Sequence, residues 1–242
     1  MTDLNTTLPP ALRRALELLA DPPTEPDVSN GYLNLLGAGL PTGTPAVEAV
    51  FASPVGSMVY DNMQALMRRL FSALQQPTGW LNIPAGGIAL DVGCGPGTVT
   101  ASLARAAGPG GLALGLDLSQ AMLGRAVRVE GGPQMGFLRA DAQRLPLRDE
   151  TVDAVVSIAV LQLVSDPAKA LAEMARVLRA GGRLAVMVPT AGWAAGFWRM
   201  LPNIGPHLFG EDEIADILED HGFTSVRSKN FGTLQWVRAK RG

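Results

Sequence analysis

Ile88-Ala89-Leu90-Asp91-Val92-Gly93-Cys94-Gly95-Pro96-Gly97-Thr98 is a short apolar run that carries one acid near its end and then breaks into alternating glycines. The apolar part reads as a buried strand, and a helix opens at Thr98. Glycine at 93, 95 and 97 lets the backbone turn tightly and lets a ligand approach without meeting a Cβ. A helix N-terminus behind such a loop presents unpaired N–H groups and positive partial charge. Strand, glycine loop and helix in that order make a seat for a nucleotide-like small molecule.

The spacing selects among such ligands. A dinucleotide fingerprint, G-x-G-x-x-G, needs glycine or alanine three positions after the second glycine, and here that position is Thr98. Asp91 would repel a pyrophosphate but could receive the ammonium of an amino acid, directly or through water. S-adenosylmethionine carries that ammonium, together with a carboxylate, a sulfonium and a ribose, so the loop favours it over NAD. Leu112–Asp117 is a second short apolar strand ending in an acid, and Asp117 lies twenty residues beyond Gly97. At this spacing an acid grips the ribose hydroxyls of a bound nucleoside, because a carboxylate can accept from both members of a vicinal diol. The competing reading of Asp117 is an N-cap for the helix that begins near Ser119.

A third signal is Phe137-Leu138-Arg139-Ala140-Asp141-Ala142, followed by Leu145-Pro146-Leu147 and Asp153-Ala154-Val155-Val156-Ser157. With these pieces in place, residues from about 84 to 190 resemble the core of class I S-adenosylmethionine-dependent methyltransferases, in their small-molecule branch. The matching segments are ALDVGCGPGTVTASLA, GLDLSQAML, RADAQRLPLRDETVDAVVS and ALAEMARVLRAGGRLAV. The resemblance implies S-adenosylmethionine as cofactor. It also implies that Asp91, Gly93, Gly95 and Gly97 line its methionine end and that Asp117 binds the ribose. Leu118 and Met122 would flank the adenine, with Asp141 accepting from its amino group and Ala142 beside it. Ser157 would lie close to the transferred methyl group. Ordinary packing between helix and sheet is the other reading of Leu118 and Met122, and a strand-end hydroxyl capping backbone is the other reading of Ser157. The segment 51–64 is similar to the N-terminal region of ubiquinone and menaquinone C-methyltransferases, and by that analogy Tyr60 would contact the cofactor carboxylate. Its alternative is a tyrosine that anchors the cap.

The chain has 242 residues, enough for one sizeable α/β domain, and its mean hydropathy of +0.18 reflects abundant alanine and leucine. No uninterrupted apolar run approaches the roughly 20 residues of a spanning helix. The sequence shows no export signal, so a cytoplasmic enzyme without an integral membrane segment is expected. The single cysteine, Cys94, excludes an internal disulfide and a cysteine-based zinc site; it reads as a small filler in the loop. A net charge of −2 argues against a nucleic-acid partner. The pairs Arg13-Arg14 and Arg68-Arg69, and the cluster Arg139, Arg144 and Arg148, read as solvated surface charges. Oligomeric state is left open, and a homo-oligomer is compatible with the composition.

The expected fold is α/β: a Rossmann-like, seven-stranded, mostly parallel sheet with helices on both faces, an antiparallel last strand and a helical N-terminal cap. Residues 1–83 form the cap region, with a short helix near 11–19 and further helices over 46–80. Residues 84–242 form the core, with a lid-like insertion near 190–210. Pro167 opens a helix that stops at Gly181-Gly182. Glu211, Asp212 and Glu213 start another, which closes at His221-Gly222. The insertion collects Trp193, Phe197, Trp198 and Phe209 around His207, either as a lid over an apolar substrate or as packing against the core or a second subunit.

The implied reaction is transfer of a methyl group to an O, C or N atom of a hydrophobic small molecule. No catalytic base is assigned; His207 is a candidate, and His221 reads as a helix C-terminal residue. A non-catalytic S-adenosylmethionine-binding module or sensor is the alternative. An NAD-dependent oxidoreductase on the same sheet is a further one, against which stands the lack of a Tyr-x-x-x-Lys pair at Tyr32 or Tyr60.

Overall fold

A computed structural model of the chain describes residues 8–36, 78–190, 207, 209–231 and 234–242. Its elements in order are α1 (Pro10–Leu18), β1 (Leu33–Asn34), α2 (Thr78–Leu81), β2 (Ile88–Val92), α3 (Thr98–Ala107), β3 (Leu112–Asp117), α4 (Gln120–Glu130), β4 (Met135–Arg139) and β5 (Val152–Ile158). They continue with a 3₁₀ turn (Leu161–Leu163), α5 (Pro167–Val177), β6 (Leu178–Pro189), α6 (Glu213–Asp220), β7 (Phe223–Phe231) and β8 (Leu234–Arg241).

The strands form one sheet in the order β1-β4-β3-β2-β5-β6-β8-β7. All neighbours from β1 to β6 run parallel, while β8 runs antiparallel to both β6 and β7. The chain order reverses at β2, with β3 on one side and β5 on the other, the kind of switch point outside whose strand ends open α/β sheets bind ligands.

Parallel strands covered on both faces are apolar almost throughout, and β3 (LALGLD) is buried at every position before its final acid. Alternation then sorts the side chains into two layers. Leu90, Val92, Leu114, Leu116, Val186 and Val237 face α1, α5 and α6. Ala89, Ala113, Ala154, Ala185 and Met187 face α2 and α3. Beyond α3, Phe137 packs with Leu123 and Ala126 of α4 and with Tyr32 and Cys94.

The mostly parallel sheet, the helices on both faces and the antiparallel closing strand agree with the expectation. An eighth strand is added by β1, whose two residues pair with Leu138 and Arg139. It is held by Asp27, whose carboxylate accepts from Ser29 and from the Asn34 amide. Helix α5 ends at Val177, four residues before Gly181, because Leu178 already pairs with Val152 across the sheet.

Arg14, Arg139 and Arg148 depart from the reading as solvated charges, whereas Arg144 is exposed as read and Arg68-Arg69 lie outside the described residues. Arg139 is 5 % exposed, and its Nε donates to the Leu118 carbonyl at 3.0 Å. Arg14 donates to the Gly111 carbonyl, and Arg148 to the carbonyls of Glu17 and Leu19 at the end of α1. Their cationic ends satisfy carbonyls at element termini, a use that charge patterning alone does not disclose.

Leu114 is fully buried in the middle of the sheet. Leu114→Ala is expected to lower unfolding free energy by about 2–5 kcal/mol, measured as a lower urea midpoint at unchanged m-value.

Candidate functional site

The C-terminal ends of β2 and β3 lie side by side, with Asp91 paired to Gly115 and Val92 to Leu116. From there the chain enters the glycine loop. Gly93 takes φ +76°, and a Cβ on it would come within 2.1 Å of Val160. Gly97 takes φ +85° at the N-cap of α3, with Phe137 and Ala126 already 3.0–3.1 Å from where its Cβ would be. Both positions therefore demand glycine for conformation and for space.

Four hydrogen bonds set the loop's shape. The Gly93 and Cys94 N–H groups both donate to the Leu116 carbonyl, at 2.7 and 2.9 Å. The Gly95 N–H donates to Asp117 Oδ2 at 2.9 Å, and the Gly97 N–H to the Cys94 carbonyl at 3.0 Å. The other oxygen of Asp117 accepts from the Ser119 N–H at 2.8 Å. One carboxylate thus ties the glycine loop to the start of α4. Ser119, not Asp117, is the N-cap of that helix, with its hydroxyl accepting from the Met122 N–H.

Asp91 is 2 % exposed and accepts from the Thr100 hydroxyl at 2.6 Å. Burial raises its carboxyl to about 7, and the nearby charge of Asp117 adds to the shift against the Thr100 bond. Asp117 is also raised, chiefly by burial, against the N–H bonds it receives. Burial thus disfavours the charged form of both acids, and a cation placed beside them would favour it.

The remaining expected residues fall around this centre. Leu118 is half-buried and Met122 buried at the start of α4, next to Arg139. Asp141 follows β4; it is half-buried and accepts from the backbone and side chain of Gln143, while Ala142 is buried beside it. Ser157 sits one residue before the end of β5, between Val92 and Val186. It is 1 % exposed, and its hydroxyl has no hydrogen-bond partner among the described residues. Tyr60 and the aromatics Trp193, Phe197 and Trp198 lie outside the described residues.

His207 donates its backbone N–H to the Gln162 carbonyl, and its Nε2 lies 2.5 Å from Glu213 Oε1. His221 Nδ1 meets the Ile217 carbonyl at 2.7 Å, a C-terminal contact of α6.

Three contributors had no signal strong enough to single them out. Thr100 lies in the first turn of the helix behind the loop, the place from which a hydroxyl reaches back to the acid at the strand end. Val160 is an ordinary aliphatic whose role is to fill the space that Gly93 leaves. Ala159, with φ +56°, turns the chain sharply after β5, and no sequence rule assigns that conformation to alanine.

Residues 90–186 match the family model described as a methyltransferase domain. A 2-phytyl-1,4-naphtoquinone methyltransferase from Thermosynechococcus vestitus is 39 % identical over 114 residues, 47 % of this chain and 51 % of that protein. A demethylmenaquinone methyltransferase from Lactobacillus johnsonii is 32 % identical over 168 residues, 62 % of this chain and 66 % of that protein. The chain thus spans between half and two thirds of these curated relatives. Among solved structures, a methyltransferase from Thermotoga maritima superposes with a TM-score of 0.61 at 20 % identity, covering 80 % of this chain and 99 % of that one. At that identity the likeness is one of fold.

The raised Asp91 has a consequence for stability. Between about pH 4 and 7 the folded chain retains a proton that the unfolded chain has lost, so unfolding free energy falls as pH rises through this window. Asp91→Asn is expected to flatten that decline, measured by urea unfolding at a series of pH values. An unchanged slope would place the buried proton elsewhere.

Proposed function

We propose that this chain, which carries a methyltransferase domain over residues 90–186, binds S-adenosylmethionine on its glycine loop and transfers the methyl group to a hydrophobic small molecule. The observation that carries the reading is the Asp117 carboxylate, held by Gly95 and Ser119 beside a loop whose turns require glycine at 93 and 97. Each carboxylate oxygen accepts one protein N–H and keeps a further lone pair for a ribose hydroxyl.

The residues present fit this cofactor. Asp91 would face the ammonium, directly or through water, and Gly93, Gly95 and Gly97 the methionine backbone. Leu118 and Met122 would flank the adenine, with Asp141 and Ala142 at its amino edge. Ser157, whose buried hydroxyl lacks a partner among the described residues, would stand near the methyl group, and Tyr60 near the carboxylate. When bound, the cofactor supplies a methyl group activated by its sulfonium. What this chain does is position the donor, exclude water and align an O, C or N nucleophile for in-line attack.

Two relatives are named for 2-phytyl-1,4-naphtoquinone and for demethylmenaquinone, and their similarity supports a hydrophobic acceptor. The acidic loop favours S-adenosylmethionine over NAD, whose pyrophosphate would meet Asp91. Catalysis, as opposed to binding alone, is supported by the same named relatives.

Calorimetry is expected to show binding of S-adenosylmethionine and S-adenosylhomocysteine and none of NAD. Asp117→Ala should weaken the first two by roughly 10- to 100-fold, the effect of losing a hydrogen bond to a charged group. Undiminished affinity in that variant, or preference for NAD, would overturn the assignment. Transfer of isotope-labelled methyl into the lipid-soluble fraction of a cell extract separates an enzyme from a sensor.

A cation placed beside Asp91 lowers its carboxyl from about 7. Cofactor binding near pH 6.5 is therefore expected to release a proton, seen as a binding enthalpy that changes with the ionisation enthalpy of the buffer. The effect should vanish in Asp91→Asn.

A further inference from the structure

The register of β6, β8 and β7 sets side chains in rows on one face of the sheet. Arg183 is paired with Lys240 and Lys240 with Thr224; Ala185 with Arg238 and Arg238 with Arg227; Met187 with Trp236 and Trp236 with Lys229; Pro189 with Leu234 and Leu234 with Phe231. Directly paired residues of antiparallel strands share a face. Arg183, Arg227, Lys229, Arg238 and Lys240 therefore stand together, and none of the residues in these rows is acidic.

Among the described residues none of the five makes an ion pair. Arg183 and Arg238 stack on the ring of Trp80, at 4.8 and 5.7 Å from its centre. Arg227, Lys229 and Lys240 are exposed. Phe231, 37 % exposed, closes the last row with the Lys229 ammonium 4.7 Å from its ring. Since β7 runs parallel to β6, this aromatic lies at the same end of the sheet as the glycine loop.

Protection of the sheet edge against pairing does not account for the pattern. That need is met by charges on the edge strand β7, whereas Arg183, Arg238 and Lys240 belong to interior strands. Five cations without an ion-pair partner among the described residues, on a chain of net charge −2, are a local feature and not a product of overall composition.

We propose that this face docks the protein on an anionic membrane surface, the cations meeting lipid headgroups and Phe231 entering the interface at the hairpin end. Cations near such a surface attract it within a Debye length, and an aromatic at the rim adds apolar contact. Docking in this orientation brings the end of the sheet that carries the cofactor seat towards the lipid, where a hydrophobic acceptor would reside. The surface itself stands whether or not the proposed reaction is correct, because its test reads binding and not turnover.

The test is co-sedimentation of the full chain with vesicles of phosphatidylcholine alone or with about one third phosphatidylglycerol, at low and high salt. Binding to the anionic vesicles alone, lost at high salt, is expected. The double variant Arg227→Glu/Lys229→Glu should lower the partition at least about 30-fold, from a roughly fivefold effect per cation near the surface. Circular dichroism and the urea midpoint report whether that variant is folded. Phe231→Ser, which keeps every charge, should weaken binding less and leave its salt dependence unchanged. No sedimentation with anionic vesicles at low salt, or equal sedimentation of the folded double variant, overturns the proposal. So does retention on a single-stranded RNA oligonucleotide without vesicle binding.

Discussion

Everything at the site depends on how the glycine loop is held before any ligand arrives. A loop leaving a buried strand has N–H groups that must find acceptors. Here the Leu116 carbonyl takes two of them and the Asp117 carboxylate a third. The acceptors come from the neighbouring strand, so the loop is fixed by the sheet itself. A binding loop shaped by its own scaffold loses little conformational freedom when it binds. The cost is electrostatic. Asp91 and Asp117 are brought together out of water with only hydroxyl and N–H donors to steady them, and burial pushes both carboxyls up. A site that is unfavourable for its own charge is suited to a cation.

The sheet supplies the rest of the geometry. The chain order reverses at β2, and the parallel register brings Asp91, Asp117 and Ser157 to its C-terminal edge from three strands. Val160 fills the space beneath Gly93, and Phe137 and Ala126 fill that beneath Gly97. Packing against the loop leaves it no room to relax, which is why two small residues there carry so much of the local structure. The antiparallel β8 returns the chain along β6 and leaves β7 at the edge, where cations gather on one face.

Much of this was legible because the determining signals are local. The apolar run before Asp91, the glycine spacing and the second acid-ended strand at Leu112–Asp117 each follow from neighbouring residues. The bounds of β3 and the start of α3 came out as read, as did Ser119 at the head of α4. What was not legible depends on distant partners. Leu33–Asn34 is a strand only because β4 offers an open edge. Arg139 is buried because the Leu118 carbonyl needs a donor, and no pattern around Arg139 says so. Helix α5 stops at Val177 because Leu178 finds Val152, whereas the glycines that suggested the boundary lie further on. At the site, the strand-end acids were visible by type and spacing. Thr100, Ala159 and Val160 were not, since a hydroxyl, a methyl and an isopropyl group declare no chemistry until their neighbours are known.

In the proposed complex a sulfonium nucleoside lies across the glycine loop with its ribose on Asp117. A crystal structure of the chain with S-adenosylhomocysteine tests this most directly. The ribose hydroxyls are predicted within hydrogen-bond distance of the Asp117 carboxylate, and the amino-acid end over Gly93 and Gly95 beside Asp91. A nucleoside bound elsewhere, or a ribose turned away from Asp117 with the loop unchanged, would contradict it.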